Sequence, residues 1–188
     1  MENFSEEKLI KQYLRGDKKS LEILINQYLK IVYSFALHIV HDESVADDIT
    51  QEVFVRAWKN LRKFDVKKNF KTWILSITKN AAIDYLRKKK VMPFSAFDNN
   101  DGGNAIADAI VDPAAPPDEI MERADTSQLL KTAMEQLSEN YRTVLYLKYY
   151  SQLTFQKISE VLGVSINTVK SRHRRALAVL KELIAENL

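Results

Sequence analysis

Apolar residues recur at intervals of three or four along most of the first 90 residues, and alternation of apolar and polar residues is nowhere sustained. The clearest example runs from Lys18 to Val40. This interval places apolar side chains on one face of an α-helix, whereas a half-buried strand requires alternation. The block therefore predicts four helices: about 5–15, 18–40, a helix capped by Asp42 that reaches about Trp58, and about 69–90.

The block that follows residue 125 has the same spacing. It predicts helices near 126–137, 139–150, 154–162 and 165–185. Since neither block contains a strand pattern, the expected fold class is all-α.

Proline and glycine divide the chain between the two blocks. All four prolines lie between residues 93 and 117, as do two of the four glycines. Proline lacks a backbone donor and glycine raises the entropy cost of ordering, so neither favours a regular element here. We therefore expect two small helical domains, 1–91 and 126–188, joined by a flexible linker over 92–125.

Charge follows the same division. Residues 1–92 carry 18 Lys/Arg and 12 Asp/Glu, whereas residues 93–125 carry one and eight. Residues 126–188 carry nine and five. Two basic blocks thus flank an acidic segment, an arrangement that favours a polyanionic partner for the blocks but is also compatible with ordinary surface charge.

Several classes of site are disfavoured by what the sequence lacks. The chain has no cysteine, which excludes disulfides and cysteine-ligated zinc and fits a reducing cytoplasm. Its charged N-terminus is unlike a signal peptide, and no apolar run approaches the roughly 20 residues that span a bilayer. It contains neither a phosphate-binding loop nor a dinucleotide-binding glycine motif, and its three histidines lack ligand partners at useful spacing. We expect no enzyme activity, no cofactor, no metal site and no direct membrane insertion.

The segment LTFQKISEVLGVSINTVKSRHRRALAVLKEL predicts a helix-turn-helix. Thr154 and Ser165 are suitable N-caps for its two helices, and Gly163 can adopt the left-handed conformation between them. The inner face of the second helix is assigned to Ile166, Val169, Ala176, Leu177 and Leu180. No acidic residue occurs from Val161 through Leu180, so the outer face is basic and suited to the major groove.

The part FQKISEVLGVSINTVKSRHRRALAVL resembles region 4 of the extracytoplasmic-function sigma factors. In that family this unit binds the −35 promoter element. The resemblance implies that the DNA contacts are made by Lys170, Ser171, Arg174 and Arg175, supported by Thr168 and Arg172. Asn167 departs from the family's usual glycine, and His173 departs from a usually apolar residue. For His173 we favour a packing role over contact with DNA.

An earlier run, DESVADDITQEVFVRAWKNLRKF, resembles region 2.2 of the same family. Helical spacing points Val45, Ile49, Val53 and Trp58 inward and leaves an acidic and amide face outside. The resemblance implies that this face docks on the clamp helices of RNA polymerase. Its candidate residues are Asp48, Gln51, Glu52 and Arg56. Charge alone would favour a solvated face stabilised by its own Glu–Arg pair.

The run LRKFDVKKNFKTWILSITKNAAIDYLRKKK resembles regions 2.3 and 2.4, which open and read the −10 element. A melted strand needs cations for its phosphates and aromatic or polar surfaces for its bases. The candidates are Phe64, Lys67, Lys68, Asn69, Lys71, Asn80, Arg87 and Lys88. Trp73 is interpreted as a core residue, while Phe64 remains open between packing and base contact.

The three matches follow one another in the order of the family. Together they imply an alternative sigma factor in the bacterial cytoplasm, which binds RNA polymerase core and promoter DNA and is sequestered by an anti-sigma factor. The main alternative is a conventional helix-turn-helix regulator that binds duplex DNA without polymerase. The basic and aromatic run from Phe64 to Lys90 disfavours that alternative, since a sensor domain has no need of it. An adaptor that binds only protein is disfavoured by the basic helix.

Overall fold

The computed structural model describes residues 5–90, 129–130 and 132–185. Helices dominate these ranges and no strand occurs in them, so the predicted all-α fold class is confirmed. The chain divides into an N-terminal and a C-terminal unit. The predicted linker over 92–125 lies outside the described residues.

Four α-helices form the N-terminal unit. They are α1 (Glu6–Leu14), α2 (Lys18–Val40), α3 (Glu43–Asn60) and α4 (Phe70–Lys90), with a 3₁₀ turn over Leu61–Lys63 after α3. Two predicted caps are present, because Ser5 Oγ accepts from the Lys8 amide at 3.4 Å and Asp42 Oδ1 accepts from the Val45 amide at 3.1 Å. Each satisfies an amide that has no partner within its helix.

Helix α2 is the centre of the N-terminal unit, in contact with α1, α3 and α4. Its Val32, Phe35 and Ala36 have no exposed surface. By length and composition α2 could also cross a membrane, but that is weak evidence because a core helix passes the same test. Burial of its apolar side chains against three neighbours accounts for its composition.

The C-terminal unit contains helical residues 129–130 and 132–136, followed by α5 (Glu139–Leu145), α6 (Phe155–Leu162) and α7 (Ile166–Ala185). The predicted helix over 139–150 is not uniform, since Tyr146–Tyr150 form a π-helical turn. Leu137, Leu145 and Ala176 form a buried cluster. Thus α7 packs against α5 on one side and leaves its other side available.

Two side chains assigned to the interior are exposed. Trp58 keeps 55% of its surface accessible, and Leu177 keeps 39%. Trp58 follows the buried Ala57 and so lies about 100° away from it around α3. Leu177 is likewise the residue after the buried Ala176. In both cases the assignment was wrong because the adjacent small alanine, not the larger residue, occupies the inner face.

Replacing Gly163 with alanine is expected to destabilise the protein by about 1–2 kcal/mol. Gly163 has φ +71°, and an added Cβ would meet no atom within 4 Å, so the cost comes from the backbone conformation and not from a clash. Gly163→Asn should cost less, since asparagine tolerates the left-handed region better. Urea denaturation measures both free energies of unfolding. Equal stability of wild type and Gly163→Ala would contradict this assignment.

Candidate nucleic-acid and polymerase interfaces

The helix-turn-helix has the local geometry that the sequence predicts. Thr154 Oγ1 accepts from the Lys157 amide at 3.3 Å, and Ser165 Oγ accepts from the Thr168 amide at 3.1 Å. Both helices therefore start at the predicted caps. The left-handed Gly163 ends α6 and allows the chain to enter α7.

The outer surface of α7 is basic. Lys170, Arg174 and Arg175 are exposed, whereas Ser171 and Arg172 are partly buried. Thr168 is partly buried as well, and its hydroxyl lies 2.8 Å from that of Ser165. The three exposed cations can reach phosphates or base edges directly, whereas Thr168 takes part in the start of the helix.

His173 lies on the inner side of α7 and contacts two other rings. Its Nε2 is 3.1 Å from the Tyr149 hydroxyl, and its ring centroid is 5.0 Å from that of Phe155. Lys148 Nζ lies 4.9 Å from the Phe155 centroid. These contacts confirm the packing role favoured for His173. They also tie α7 to the π-helical turn and to α6.

Acidification is expected to weaken the C-terminal unit through His173. Burial, followed by the charge of Lys148, lowers the pKa of His173 below its ordinary 6.5. The His173 imidazole is therefore protonated at higher pH in the unfolded chain than in the folded chain. Its contribution to the free energy of unfolding is fully present above pH 6.5 and is lost as pH falls through the pKa of the folded protein. Urea denaturation between pH 7.5 and 5.5 should show a smaller loss in His173→Gln than in wild type. Equal losses in the two proteins would contradict the assignment.

One face of α3 combines acidic, amide and apolar groups. Asp48, Gln51 and Glu52 are exposed, and Val55 and Trp58 extend the same face at helical spacing with 46% and 55% of their surfaces accessible. We call these five residues the α3 face. Val55 and Trp58 were missed as candidates, although their spacing from Asp48 and Gln51 already places them there.

Trp58 is held in position by α1. Its indole Nε1 donates a hydrogen bond to the Tyr13 hydroxyl. The ring is thus exposed, yet one end is fixed by a residue 45 positions earlier in the chain. An exposed tryptophan with restricted freedom loses little entropy when a partner covers it.

Arg56 lies between the α3 face and a pocket. Its guanidinium donates to Glu52 Oε1 through Nε at 3.0 Å and through Nη2 at 2.6 Å, so the predicted Glu–Arg pair is present. Both partners are well exposed, and such pairs contribute less than about 1 kcal/mol. The pair orients Arg56 more than it stabilises α3.

The pocket beside Arg56 has a volume of about 370 Å³. We call it the Asn80 pocket. The pocket combines Arg56, which was predicted to bind polymerase, with Phe64 and Asn80, which were predicted to bind the −10 element. Its lining includes aromatic, amide and cationic groups. Its lining residues are Arg56, Asn60, Lys63, Phe64, Trp73, Ile77 and Asn80.

Three aromatic side chains pack together where α4 meets the loop that precedes it. The centroids of Phe64 and Trp73 are 4.7 Å apart, and that of Phe70 lies 5.5 Å from each. Phe70 is buried, whereas Phe64 and Trp73 are half-buried. The core interpretation therefore holds only in part for Trp73, which lines the Asn80 pocket as well.

The polar candidates of the same loop differ in their surroundings. Asn69 Oδ1 accepts from the amide and the hydroxyl of Thr72, each at 2.9 Å, which makes Asn69 the N-cap of α4. Lys67 and Lys68 are exposed, and Lys71 is partly buried. Asn69 thus has a structural role that sequence reasoning did not assign to it.

The C-terminal end of α4 carries the remaining candidates. Arg87 and Lys88 are largely exposed, and Arg87 lies 3.2 Å from Asp84 in an i,i+3 pair. Because this pair is open to solvent, it leaves Arg87 able to exchange Asp84 for a phosphate. Across the part of the chain that the structure describes, no group of three or more His, Asp or Glu side chains could hold a metal ion.

Both helical units are similar to known proteins. The models for Sigma-70 region 2 and Sigma-70 region 4 match residues 24–91 and 127–180. The ECF RNA polymerase sigma factor SigW of Bacillus subtilis is 31% identical, over 94% of this chain and 95% of SigW. Two solved structures share the fold, each with a TM-score of 0.65.

The first of these structures is CnrH in complex with the cytosolic domain of CnrY, at 22% identity, covering 97% of this chain and 98% of CnrH. The second is the sigma factor RpoE with the anti-sigma factor NepR from Bartonella quintana, at 23% identity, covering 89% of this chain and 98% of RpoE. With SigW matched along almost its whole length, the conventional regulator is not favoured. The chain belongs to the extracytoplasmic-function sigma factors of the sigma-70 family and is an alternative sigma factor that directs promoter-specific transcription.

Proposed function

We propose that the N-terminal unit performs two tasks on two neighbouring surfaces. The α3 face binds the core polymerase, and the Asn80 pocket receives an unpaired base of the −10 element. The observation that carries this division is the pocket itself, which joins Asn80 to Phe64, Trp73 and Arg56 and whose lining contains no residue of the α3 face. A flipped base requires an aromatic surface and hydrogen-bonding groups in a confined space, and this pocket supplies both.

Cations around the pocket guide the strand in this proposal. Lys63 lines the pocket, and Lys67 and Lys68 follow in the loop. Arg87 and Lys88 provide a further basic site at the end of α4. Contacts of this kind hold phosphates and carry no sequence information, whereas Asn80 can distinguish bases by hydrogen bonding.

The α3 face suits a protein partner better than DNA. Asp48 and Glu52 repel phosphates, while Val55 and Trp58 offer apolar surface that water covers in the free protein. We therefore assign polymerase binding to Asp48, Gln51, Glu52, Val55 and Trp58. Arg56 acts at the border, where it both pairs with Glu52 and lines the Asn80 pocket.

The C-terminal unit binds the −35 duplex with α7 in the major groove. Lys170, Arg174 and Arg175 make the direct contacts, supported by Ser171, Thr168 and Arg172. Residues 92–125 connect the two bound units, and their net charge of −7 allows them to pass through a basic channel of the polymerase. The protein acts as a regulatory subunit in the cytoplasm without catalysis of its own. An anti-sigma factor is a further partner, as NepR is for RpoE.

Binding measurements with labelled protein test this assignment. Saturable binding to sigma-free bacterial core polymerase, together with weak binding to duplex DNA when polymerase is absent, is the expected result. Tight binding to a palindromic duplex without polymerase, and no binding to core, would overturn the proposal. A charge reversal at Glu52 should reduce core binding, whereas the same change at Glu22, which is exposed on α2, should not.

A further inference from the structure

The segment between α5 and α6 is irregular at two places. The Ser151 amide donates to the carbonyl of Tyr146, five residues earlier, at 3.0 Å, so this turn holds one residue more than an α-helical turn. Gln152, which follows it, has a left-handed backbone with φ +54°, a conformation that is costly for residues other than glycine. Such departures persist where the surroundings require them and often lie at functional sites, so the side chains of this turn are candidates for a function.

Tyr149 is the side chain of this turn that contacts α7. Its hydroxyl lies 3.1 Å from His173 Nε2, and the two ring centroids are 5.8 Å apart. The His173 ring is itself held by Phe155 of α6. The hydroxyl of Tyr149 is therefore fixed, although 59% of the surface of this residue is accessible. A polar group that is already fixed at the surface loses little entropy when a partner bonds to it.

Tyr149 meets α7 at the edge of its cationic surface. His173 follows Lys170 by three residues and precedes Arg174 by one, which places the three residues within roughly 100° of one another around the helix. Lys170 and Arg174 are exposed, and the proposed function assigns them to the major groove. A group at the edge of a helix in the major groove faces the sugar-phosphate backbone that borders the groove, where hydrogen bonds to phosphate are the usual contacts.

The hydrogen bond between Tyr149 and His173 can run in either direction. Burial, followed by the charge of Lys148, lowers the pKa of His173, so the ring is neutral at pH 7 and carries a single N–H. With that hydrogen on Nε2, the ring donates to the Tyr149 oxygen and leaves the phenol hydrogen for an outside acceptor. A phosphate oxygen favours this direction, because it is charged and can only accept.

We propose that Tyr149 is a further contact of the −35 duplex: its hydroxyl donates to a phosphate oxygen at the border of the major groove, and His173 is the positioning residue that holds the hydroxyl there. The contact rests on the proposed function of α7. An apolar protein surface would use the ring of Tyr149, whereas the hydroxyl is the part that His173 fixes. The family's usually apolar residue at position 173 could not bond to a hydroxyl, so the pairing depends on the histidine of this chain.

The test uses full-length protein bound to core polymerase and promoter fragments in which single phosphates around the −35 element are replaced by uncharged methylphosphonates. Tyr149→Phe keeps the ring and should weaken binding to the unmodified fragment about tenfold. Methylphosphonate at one position should weaken binding of the wild type by a similar factor and of Tyr149→Phe much less. Tyr150→Phe is the matched control, because the ring of Tyr150 stacks on Tyr146, and it should bind like the wild type.

Two further readouts separate a phosphate contact from support of the fold. A neutral hydroxyl displaces no counterion, so Tyr149→Phe should keep the salt dependence of the wild type, whereas a displaced α7 would lose cation contacts and reduce that dependence. His173→Gln supplies an amide donor for the hydroxyl and should retain most of the binding, whereas His173→Leu should lose as much as Tyr149→Phe. Urea denaturation checks that each variant is folded.

Two outcomes overturn the contact while the assignment of α7 to the −35 element stands. In the first, Tyr149→Phe binds every fragment like the wild type. In the second, Tyr149→Phe binds more weakly but keeps the methylphosphonate profile of the wild type and has a reduced salt dependence, so that Tyr149 acts only through the fold. If Arg174→Ala also leaves −35 selection unchanged while core binding is intact, the assignment of α7 is wrong as well.

Discussion

Replacing Trp58 with alanine should weaken binding to core polymerase by roughly 30-fold, the effect expected for a hot-spot residue worth about 2 kcal/mol. Trp58 is the largest apolar group on the α3 face, and 55% of its surface is accessible in the free protein. The other residues of the α3 face can exclude water once a partner is bound. Titration of core polymerase with fluorescently labelled protein measures the dissociation constant.

Two further variants separate binding from folding in that experiment. Leu29→Ala removes a side chain of α2 that is also well exposed, at 46%, and should leave core binding unchanged. Tyr13→Phe removes only the hydrogen bond to the Trp58 indole and should give a smaller loss than Trp58→Ala. Core binding by Trp58→Ala that equals wild type, with the fold retained by circular dichroism, would contradict the role of this face.

Replacing Asn80 with alanine should relax discrimination at one position of the −10 element by about tenfold, because a side-chain amide that reads a base edge is worth about 1–3 kcal/mol. Asn80 is exposed on α4 and lines a pocket with two half-buried aromatic rings. Transcription from a library with randomised −10 elements gives the base preference at every position. Preference elsewhere in the element should be unchanged.

Arg87→Ala is the matched comparison for Asn80→Ala. Arg87 also lies on α4, but its exposed guanidinium suits a phosphate. Its loss should lower activity on all promoters to a similar extent and reduce the salt dependence of binding, without a change in base preference. If Asn80→Ala showed this uniform loss and Arg87→Ala relaxed one position, the assignment of base reading and phosphate binding would be reversed.

Local signals in the sequence predict the helix-turn-helix well. Thr154, Gly163 and Ser165 each act through atoms within a few residues, so short-range spacing is sufficient to identify them. The inner face of α7 is less well predicted, because a ranking by apolar character includes Leu177, whose side chain is exposed. The packing role favoured for His173 agrees with its spacing from Val169, Ala176 and Leu180.

Two features of the N-terminal unit that were missed depend on contacts between distant residues. The bond from Trp58 to Tyr13 joins α3 to α1, and no helical pattern indicates it. The Asn80 pocket joins Arg56 and Asn80 from two helices that the sequence analysis treated as separate surfaces. Asn69 was assigned to DNA because it lies among lysines, although an asparagine just before a helix is also typical of an N-cap.

Reconstituted transcription with sigma-free bacterial core polymerase and a library of promoters tests the central claim most directly. Both the −35 and the −10 elements are randomised, and the transcripts are sequenced. We predict initiation that requires this protein and selects sequences in both elements, with −10 selection altered by Asn80→Ala and −35 selection altered by Arg174→Ala. Initiation that does not depend on the protein, or that selects neither element, would contradict it.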